Sequence, residues 1–126
     1  MSSVVVGALL SRPAMERKVA AALWRGDVVH AFSAWSDLVA FAQMKSPDVV
    51  FLDPMVETSA DWATRLPSLE GIFPRRIILY TVLTPALAEI LLSLGKRGIR
   101  EIVFHRLDDH TDRMAEALMS VGIDRT

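Results

Sequence analysis

The chain has 126 residues, with 14 Lys+Arg against 15 Asp+Glu and no cysteine. This length fits one domain that can bury a core without disulfides. The absence of cysteine excludes disulfide scaffolds, thiolate zinc sites, iron–sulfur clusters and cysteine nucleophiles. The formal net charge of −1 argues against a dedicated nucleic-acid binder.

The most apolar stretch of the chain, Ile77–Leu94, is nearly long enough for a membrane-spanning helix. Thr84-Pro85 interrupts it, and proline restricts the preceding residue to extended geometry. The stretch therefore indicates a strand, a break and a helix. The N-terminus has no basic region and no cleavage site typical of a secretory signal. We expect a cytoplasmic protein without membrane contact.

Five short apolar runs recur along the chain, and their first residues are separated by 21 to 28 residues. Each interval has room for a strand and a crossover helix, which is typical of a parallel sheet. The runs are continuous rather than alternating, as in strands that are covered on both faces. They are Val4–Ala8, Val28–Phe32, Val49–Leu52, Ile77–Thr81 and Ile102–Phe104.

The segments between these runs carry helix signals. Their expected starts are Pro13, a cap at Ser33 or Ser36, Asp61, Pro85, and a cap at Asp108 or Asp109. The third helix, around Asp61–Ile72, is the weakest because Pro67 interrupts it. Right-handed crossovers then give an α/β fold, a three-layer (βα)5 doubly wound domain with a parallel five-stranded sheet. We expect this domain to cover residues 1–122 and residues 123–126 to begin a linker.

Three motifs at the predicted strands resemble those of response-regulator receiver domains. Pro47–Asp53 is similar to the third receiver strand, Leu79–Thr81 to the fourth, and Leu94–Phe104 to the approach and the fifth strand. The resemblance covers Val4 to Val121 and implies the flavodoxin-like strand order 2-1-3-4-5. It also implies that Asp53 is the phospho-acceptor position and Thr81 the switch hydroxyl.

The chain departs from the receiver pattern where phosphorylation chemistry would lie. Receivers place acidic residues after the first strand to hold Mg²⁺, whereas residues 7–11 here contain no acid. The receiver lysine after the fifth strand is replaced by His105, followed by Arg106. Phosphoryl transfer depends on positioned cations. We therefore expect a pseudo-receiver that is not an enzyme and has no cofactor, with Mg²⁺ needed only if Asp53 is phosphorylated.

Two other interpretations stay open. Asp53 could still accept phosphate if Glu57 or Asp108 supplied the missing acid. Alternatively, the chain could be a (βα)5 domain that binds a small molecule at the strand-end crevice. An enzyme of this fold is disfavoured, since the chain has no recognisable nucleophile–base pair and no phosphate loop.

The expected partners are proteins. The fourth helix is apolar nearly all round, and Ile90 and Leu92 lie off its inner stripe, which indicates a contact surface and a homodimer. The receiver resemblance implies an output domain or partner protein, and a place in the N-terminal part of a transcriptional or other response regulator. The basic clusters Arg75-Arg76 and Lys96–Arg100 are too short for a nucleic-acid track. No metal site is expected, because the acidic segment 108–112 is typical of a helix N-terminus.

Overall fold

The computed structural model describes residues 3–108 and 110–125 of the chain. Strands and helices alternate throughout this part. The strands are β1 (Val5–Leu9), β2 (Val28–Phe32), β3 (Val49–Leu52), β4 (Ile77–Thr81) and β5 (Ile102–Phe104). The helices are α1 (Pro13–Ala21), α2 (Trp35–Lys45), α3 (Trp62–Arg65), α4 (Leu87–Lys96) and α5 (Met114–Ser120).

The strands form one parallel sheet in the order β2-β1-β3-β4-β5. This is the strand order of flavodoxin-like (βα)5 folds, and it confirms the predicted fold class. The order changes direction between β1 and β3, because the chain first crosses to β2 and then returns to the other side of β1. Loops after β1 and β3 therefore meet at the carboxyl edge of the sheet.

Each face of the sheet is covered by helices, which gives the predicted three layers. Buried residues of α1 and α5 pack on one face, and those of α2, α3 and α4 pack on the other. The first core includes Met15, Val19, Phe51, Tyr80, Met114 and Leu118. The second includes Leu9, Leu38, Leu52, Trp62, Leu79 and Leu94. Strands β3 and β4 are buried along their whole length, which explains their uninterrupted apolar sequences.

The stretch Ile77–Leu94 is divided as the sequence predicts. Strand β4 ends at Thr81, Pro85 lies in the connection, and α4 begins at Leu87. Beyond α4, Gly98 takes a left-handed backbone conformation with φ of +97°, which suits glycine at a helix end. Within the described residues, no helix is long and apolar enough to cross a membrane.

Helix α2 lacks its expected cap, and α3 is shorter than expected. The residue before α2 is Ala34, and neither Ser33 nor Ser36 caps it by a side-chain hydrogen bond. Asp61 does cap α3, accepting from the Thr64 amide, but that helix ends after one turn. Pro67 then lies in a short 3-10 turn, since it cannot continue the hydrogen-bonding pattern.

The fifth helix also lacks its expected cap. It begins at Met114 after Arg113, with no side-chain cap. The Asp108 carboxylate instead accepts from the guanidinium of Arg106 and the amide of His110. Asp109, the alternative cap, lies outside the described residues. The Asp108 side chain therefore bonds within the loop before α5 and does not cap the helix.

The segment after α5 packs against the domain, so the folded part extends past the expected boundary at residue 122. Ile123 is buried in the first core. The Arg125 guanidinium lies 2.7 Å from the Asp27 carboxylate and stacks 4.2 Å above the Trp24 ring. Ion pairing and stacking by one guanidinium hold this segment near the start of β2.

Candidate functional site

Three polar residues meet where β1, β3 and β4 end. Ser11 follows β1, Asp53 follows β3 and Thr81 ends β4. The pairing of β3 with both β1 and β4 brings these strand ends side by side. We call Ser11, Asp53 and Thr81 the Asp53 cluster.

The Asp53 carboxylate is the buried centre of this cluster, with a relative exposure of 0%. Its Oδ1 accepts from the Thr81 hydroxyl at 2.7 Å and from the Met55 amide at 2.9 Å. Its Oδ2 accepts from the Ser11 hydroxyl. The Met55 contact also caps the short 3-10 turn Pro54–Val56. Both carboxylate oxygens are therefore occupied by the protein's own donors.

The surroundings of Asp53 do not fit a magnesium ion. Mg²⁺ in proteins usually takes one or two carboxylates beside substrate phosphates and water. The two acids considered as substitutes are committed elsewhere, because Glu57 pairs with Arg65 at 2.6 Å and Asp108 pairs with Arg106 at 3.0 Å. Among the described residues, no group of at least three His, Cys, Asp or Glu side chains could hold a metal ion.

His105 and Arg106 do not join the Asp53 cluster by hydrogen bond or ion pair in the described part of the chain. The His105 ring is buried beside Tyr80 and Asp112. The Arg106 guanidinium is exposed and holds Asp108. His105 and Arg106, which stand where receivers have their lysine, therefore bond to other partners. The acidic neighbour of His105 is Asp112 rather than Asp53.

A second buried polar group lies beside the strand ends, formed by Lys18, Tyr80, His105 and Asp112, which we call the Asp112 network. The Tyr80 hydroxyl donates to Oδ2 of Asp112. The Nδ1 of His105 lies 2.8 Å from the Tyr80 oxygen and 3.2 Å from the same Oδ2. Because the tyrosine proton is directed at the carboxylate, we assign the His105 proton to Nδ1, where either oxygen can accept it.

Ionisation in this network follows from its contacts. Burial, followed by the hydrogen bond to the Asp112 carboxylate, raises the pKa of Tyr80, so its hydroxyl stays protonated. Burial of Asp112 would by itself raise its pKa, but hydrogen bonds from Tyr80, the Arg106 amide and Lys18 outweigh it. The pKa of Asp112 is therefore below its ordinary value, and the carboxylate is a buried anion paired with Lys18 at 3.1 Å.

Lys18 links α1 to the segment between β5 and α5. Its ammonium donates to the carbonyls of Arg106 at 2.7 Å, His110 at 3.1 Å and Asp108 at 3.3 Å, as well as to Asp112. An ammonium has three protons, so these acceptors share them. One cation thus fixes the course of the loop that leads into α5.

Sequence reasoning missed the Asp112 network. It assigned the acidic segment 108–112 to a helix N-terminus and gave no role to Lys18. One signal was present: Tyr80 lies inside a continuous apolar strand, and a buried tyrosine hydroxyl usually has a partner. The sequence does not show which distant residue supplies that partner.

The candidate contact surface on α4 is smaller than expected. Leu92 is 68% exposed, as predicted. Ile90 is half-buried and packs against the second core, so it contributes less to an outer surface. Near the carboxyl ends of β4 and β5, the exposed apolar side chains include Leu83, Phe104 and Leu107.

A concave region of about 370 Å³ lies at the carboxyl ends of β1 and β2. Its volume is within the range of small-molecule sites. Apolar and polar side chains share its lining, which includes Leu10, Ser11, Arg12, Glu16, Phe32 and Ser33. It corresponds in position to the crevice expected from the sequence.

Comparison with protein-family models finds no match, and comparison with curated proteins finds none either. The likeness to receiver domains therefore depends on the motifs at β3, β4 and β5 and on the strand order.

Proposed function

We propose that the chain is a receiver-like regulatory domain that acts by protein–protein contact and does not use phosphorylation of Asp53. The partners we infer are a second copy of the chain and an output or partner protein. We further propose that it works in the cytoplasm, without an enzymatic activity and without direct contact to nucleic acid.

The single observation that supports this proposal most is the state of the Asp53 carboxylate. A phospho-acceptor must present one oxygen to the incoming phosphoryl group, with cations beside it to neutralise charge. Here the carboxylate is fully buried, and Ser11, Thr81 and the Met55 amide occupy both oxygens. The arrangement suits a structural acceptor that ties three strand ends together.

The Asp112 network supports the same interpretation. In the receiver pattern, a cation after the fifth strand faces the phosphoryl group. In this chain the residue at that position, His105, is held by Tyr80 and Asp112. No cationic side chain bonds to the Asp53 carboxylate in the part of the chain that is described.

The test is intact-mass spectrometry after incubation with acetyl phosphate and Mg²⁺. We expect no phosphoryl adduct on the native protein. The matched variant is Asp53→Asn, which keeps the size of the side chain and one carbonyl oxygen. An adduct on the native protein that is missing from Asp53→Asn would contradict the proposal and favour a working phospho-acceptor.

A second candidate function is binding of a small molecule in the 370 Å³ concavity at the carboxyl ends of β1 and β2. Its lining favours an amphipathic ligand rather than a purely apolar one, because Arg12 and Glu16 share it with Leu10 and Phe32. Native mass spectrometry of gently purified protein tests this candidate. A retained small molecule that is lost in Ala31→Trp, a change that fills the concavity, would favour it over the first proposal.

A further inference from the structure

Strand β2 lies at one edge of the sheet, and its sequence lacks the residues that usually prevent an edge strand from pairing with another chain. Its five residues are Val-Val-His-Ala-Phe, without Lys, Arg, Asp, Glu or Pro. Among the described residues it pairs with β1 alone, and three of its residues are exposed, including Val28 at 44%. Edge strands with such sequences are ready templates for another strand, and natural proteins usually blunt them with charges, proline or bulges.

The backbone pattern identifies the groups that face outward. In a parallel ladder, alternate residues direct both their N–H and C=O groups to the same neighbour. The Val28 amide donates to the Val4 carbonyl at 3.0 Å, so Val28, His30 and Phe32 face β1. Val29 and Ala31 therefore direct their backbone groups away from the sheet.

We propose that a second copy of the chain pairs with this edge, β2 against β2 in antiparallel orientation, with His30 at the two-fold axis. In this register Val29 of each copy lies opposite Ala31 of the other. These are the two outward-facing residues, so each pair exchanges both of its backbone hydrogen bonds. His30 then faces its own copy as a non-hydrogen-bonded pair, and the two sheets become continuous.

Helix α2 extends the proposed contact on one face of the sheet. The Phe41 ring of α2 lies 4.7 Å from the His30 ring and 5.1 Å from Phe32. At 100° per residue, Asp37 and Met44 lie on the flank of α2 beyond Phe41, away from the sheet centre. Met44 is 80% exposed, which is unusual for a large apolar side chain. A two-fold axis through His30 brings the α2 helices of both copies to the same face, where these flanks meet.

Charge complementarity favours a second copy as the occupant. The exposed acidic residue Asp37 lies near the carboxyl end of β2, and the exposed cations Arg25 and Lys45 lie near its amino end. Antiparallel pairing brings opposite ends of the two copies together, and with them the unlike charges. One two-fold axis thus pairs the outward-facing backbone groups of β2, brings the apolar flanks of α2 together and places unlike charges opposite each other.

This inference rests on the proposed self-association, and it places the contact at the β2 edge instead of on α4.

The first test is sedimentation equilibrium of the full chain and of two charge variants, Asp37→Lys and the double change Arg25→Glu with Lys45→Glu. In a homodimer of either variant, like charges lie opposite each other across the interface, so we expect about tenfold weaker dimerisation. An equimolar mixture of the two restores unlike pairs, and we expect it to dimerise at least as well as the native chain.

The second test removes an outward amide. Ala31→Pro takes away a donor that β1 does not use, and proline is tolerated on edge strands. We expect a folded monomer by circular dichroism and sedimentation. The charge variants keep the inference testable if this variant does not fold, because all three changed residues are exposed.

Leu92→Glu on α4 separates the inference from the proposed function. We expect it to remain dimeric. A native chain that dimerises, but loses its dimer in Leu92→Glu and keeps it in the β2 variants, would overturn the inference while leaving self-association in place. A native chain that is monomeric at all concentrations tested would overturn both. Binding of another protein to a monomeric chain at this edge would also overturn the choice of occupant.

Discussion

The role of a single residue depends on its contacts as well as its chemical type, and Asp53 is the clearest example in this chain. The receiver resemblance assigns this acid to a phospho-acceptor position, yet its carboxylate accepts from donors on three different segments. Residue identity alone suggests chemistry, whereas the contacts of the residue indicate a structural role.

A structural role for Asp53 predicts a stability cost when it is removed. Asp53→Ala leaves the Thr81 hydroxyl and the Met55 amide without their acceptor, and such losses cost about 1–3 kcal/mol. We expect the free energy of unfolding in urea to fall by about that amount. Glu70→Ala, which removes an exposed carboxylate outside the proposed interface, is the control and should be nearly neutral. An unchanged unfolding free energy for Asp53→Ala would argue against the structural role.

Asp112 predicts a dependence of stability on pH. Its pKa in the folded chain lies below the ordinary value of 3.8, so the folded state favours the carboxylate. Its contribution to stability is fully present above pH 3.8 and is lost as pH falls through the lower folded pKa. We expect Asp112→Asn to melt below the native chain at pH 7, and this difference to shrink as the pH falls below 3.8. The Tm of both proteins across this range checks it, and a constant difference would contradict it.

At the scale of elements, Lys18 holds the segment between β5 and α5. Three backbone carbonyls and one carboxylate depend on its ammonium. The position of α5 over the first core therefore depends on a residue of α1.

Lys18→Met keeps the apolar stem and removes these bonds. We expect unfolding to become easier by about 1–3 kcal/mol. We also expect faster amide hydrogen exchange at Arg106, whose amide donates to Asp112. Lys96→Met, at the exposed end of α4, is the matched control. Equal exchange at Arg106 in Lys18→Met and in the native chain would show that the ammonium does not order this segment.

The elements were predictable to different degrees for physical reasons. Buried parallel strands have continuous apolar sequences, so β3 and β4 could be located closely. Helix starts were less predictable, because a serine or aspartate near a start is also used in turns, as at Ser33 and Asp108. The third helix was uncertain at Pro67, and there the chain does leave the α-helical pattern.

The site was predictable in location but not in its bonds. The strand order places residues after β1, β3 and β4 together, so Asp53 and Thr81 could be expected to meet. The partners of His105 could not, because they depend on Asp112 in a loop whose course is set by Lys18. Contacts between distant loops leave little trace in a single sequence.

At the scale of the whole molecule, the segment after α5 is bonded to the residues just before β2. The Arg125–Asp27 pair lies beside the β1–β2 edge, and the Asp27 carboxylate also accepts from the Val4 amide at 2.9 Å. The guanidinium, through its hydrogen bonds, lowers the pKa of Asp27. Residues 123–125 are therefore held against the amino end of β2.

This tie predicts that Arg125→Ala lowers the Tm at pH 7, because both the ion pair and the stacking on Trp24 are lost. Arg113→Ala is the control, since the Arg113 side chain is 84% exposed. Thermal denaturation followed by circular dichroism measures both. A Tm for Arg125→Ala equal to that of the control would mean that the contacts of Arg125 do not contribute to the stability of the domain.

We propose that contacts made by this domain do not depend on phosphorylation of Asp53. Sedimentation velocity of the native chain, with and without acetyl phosphate and Mg²⁺, is the experiment that decides this. We expect the same distribution of monomer and dimer under both conditions. A shift in that distribution that appears with acetyl phosphate, and that Asp53→Asn abolishes, would contradict it.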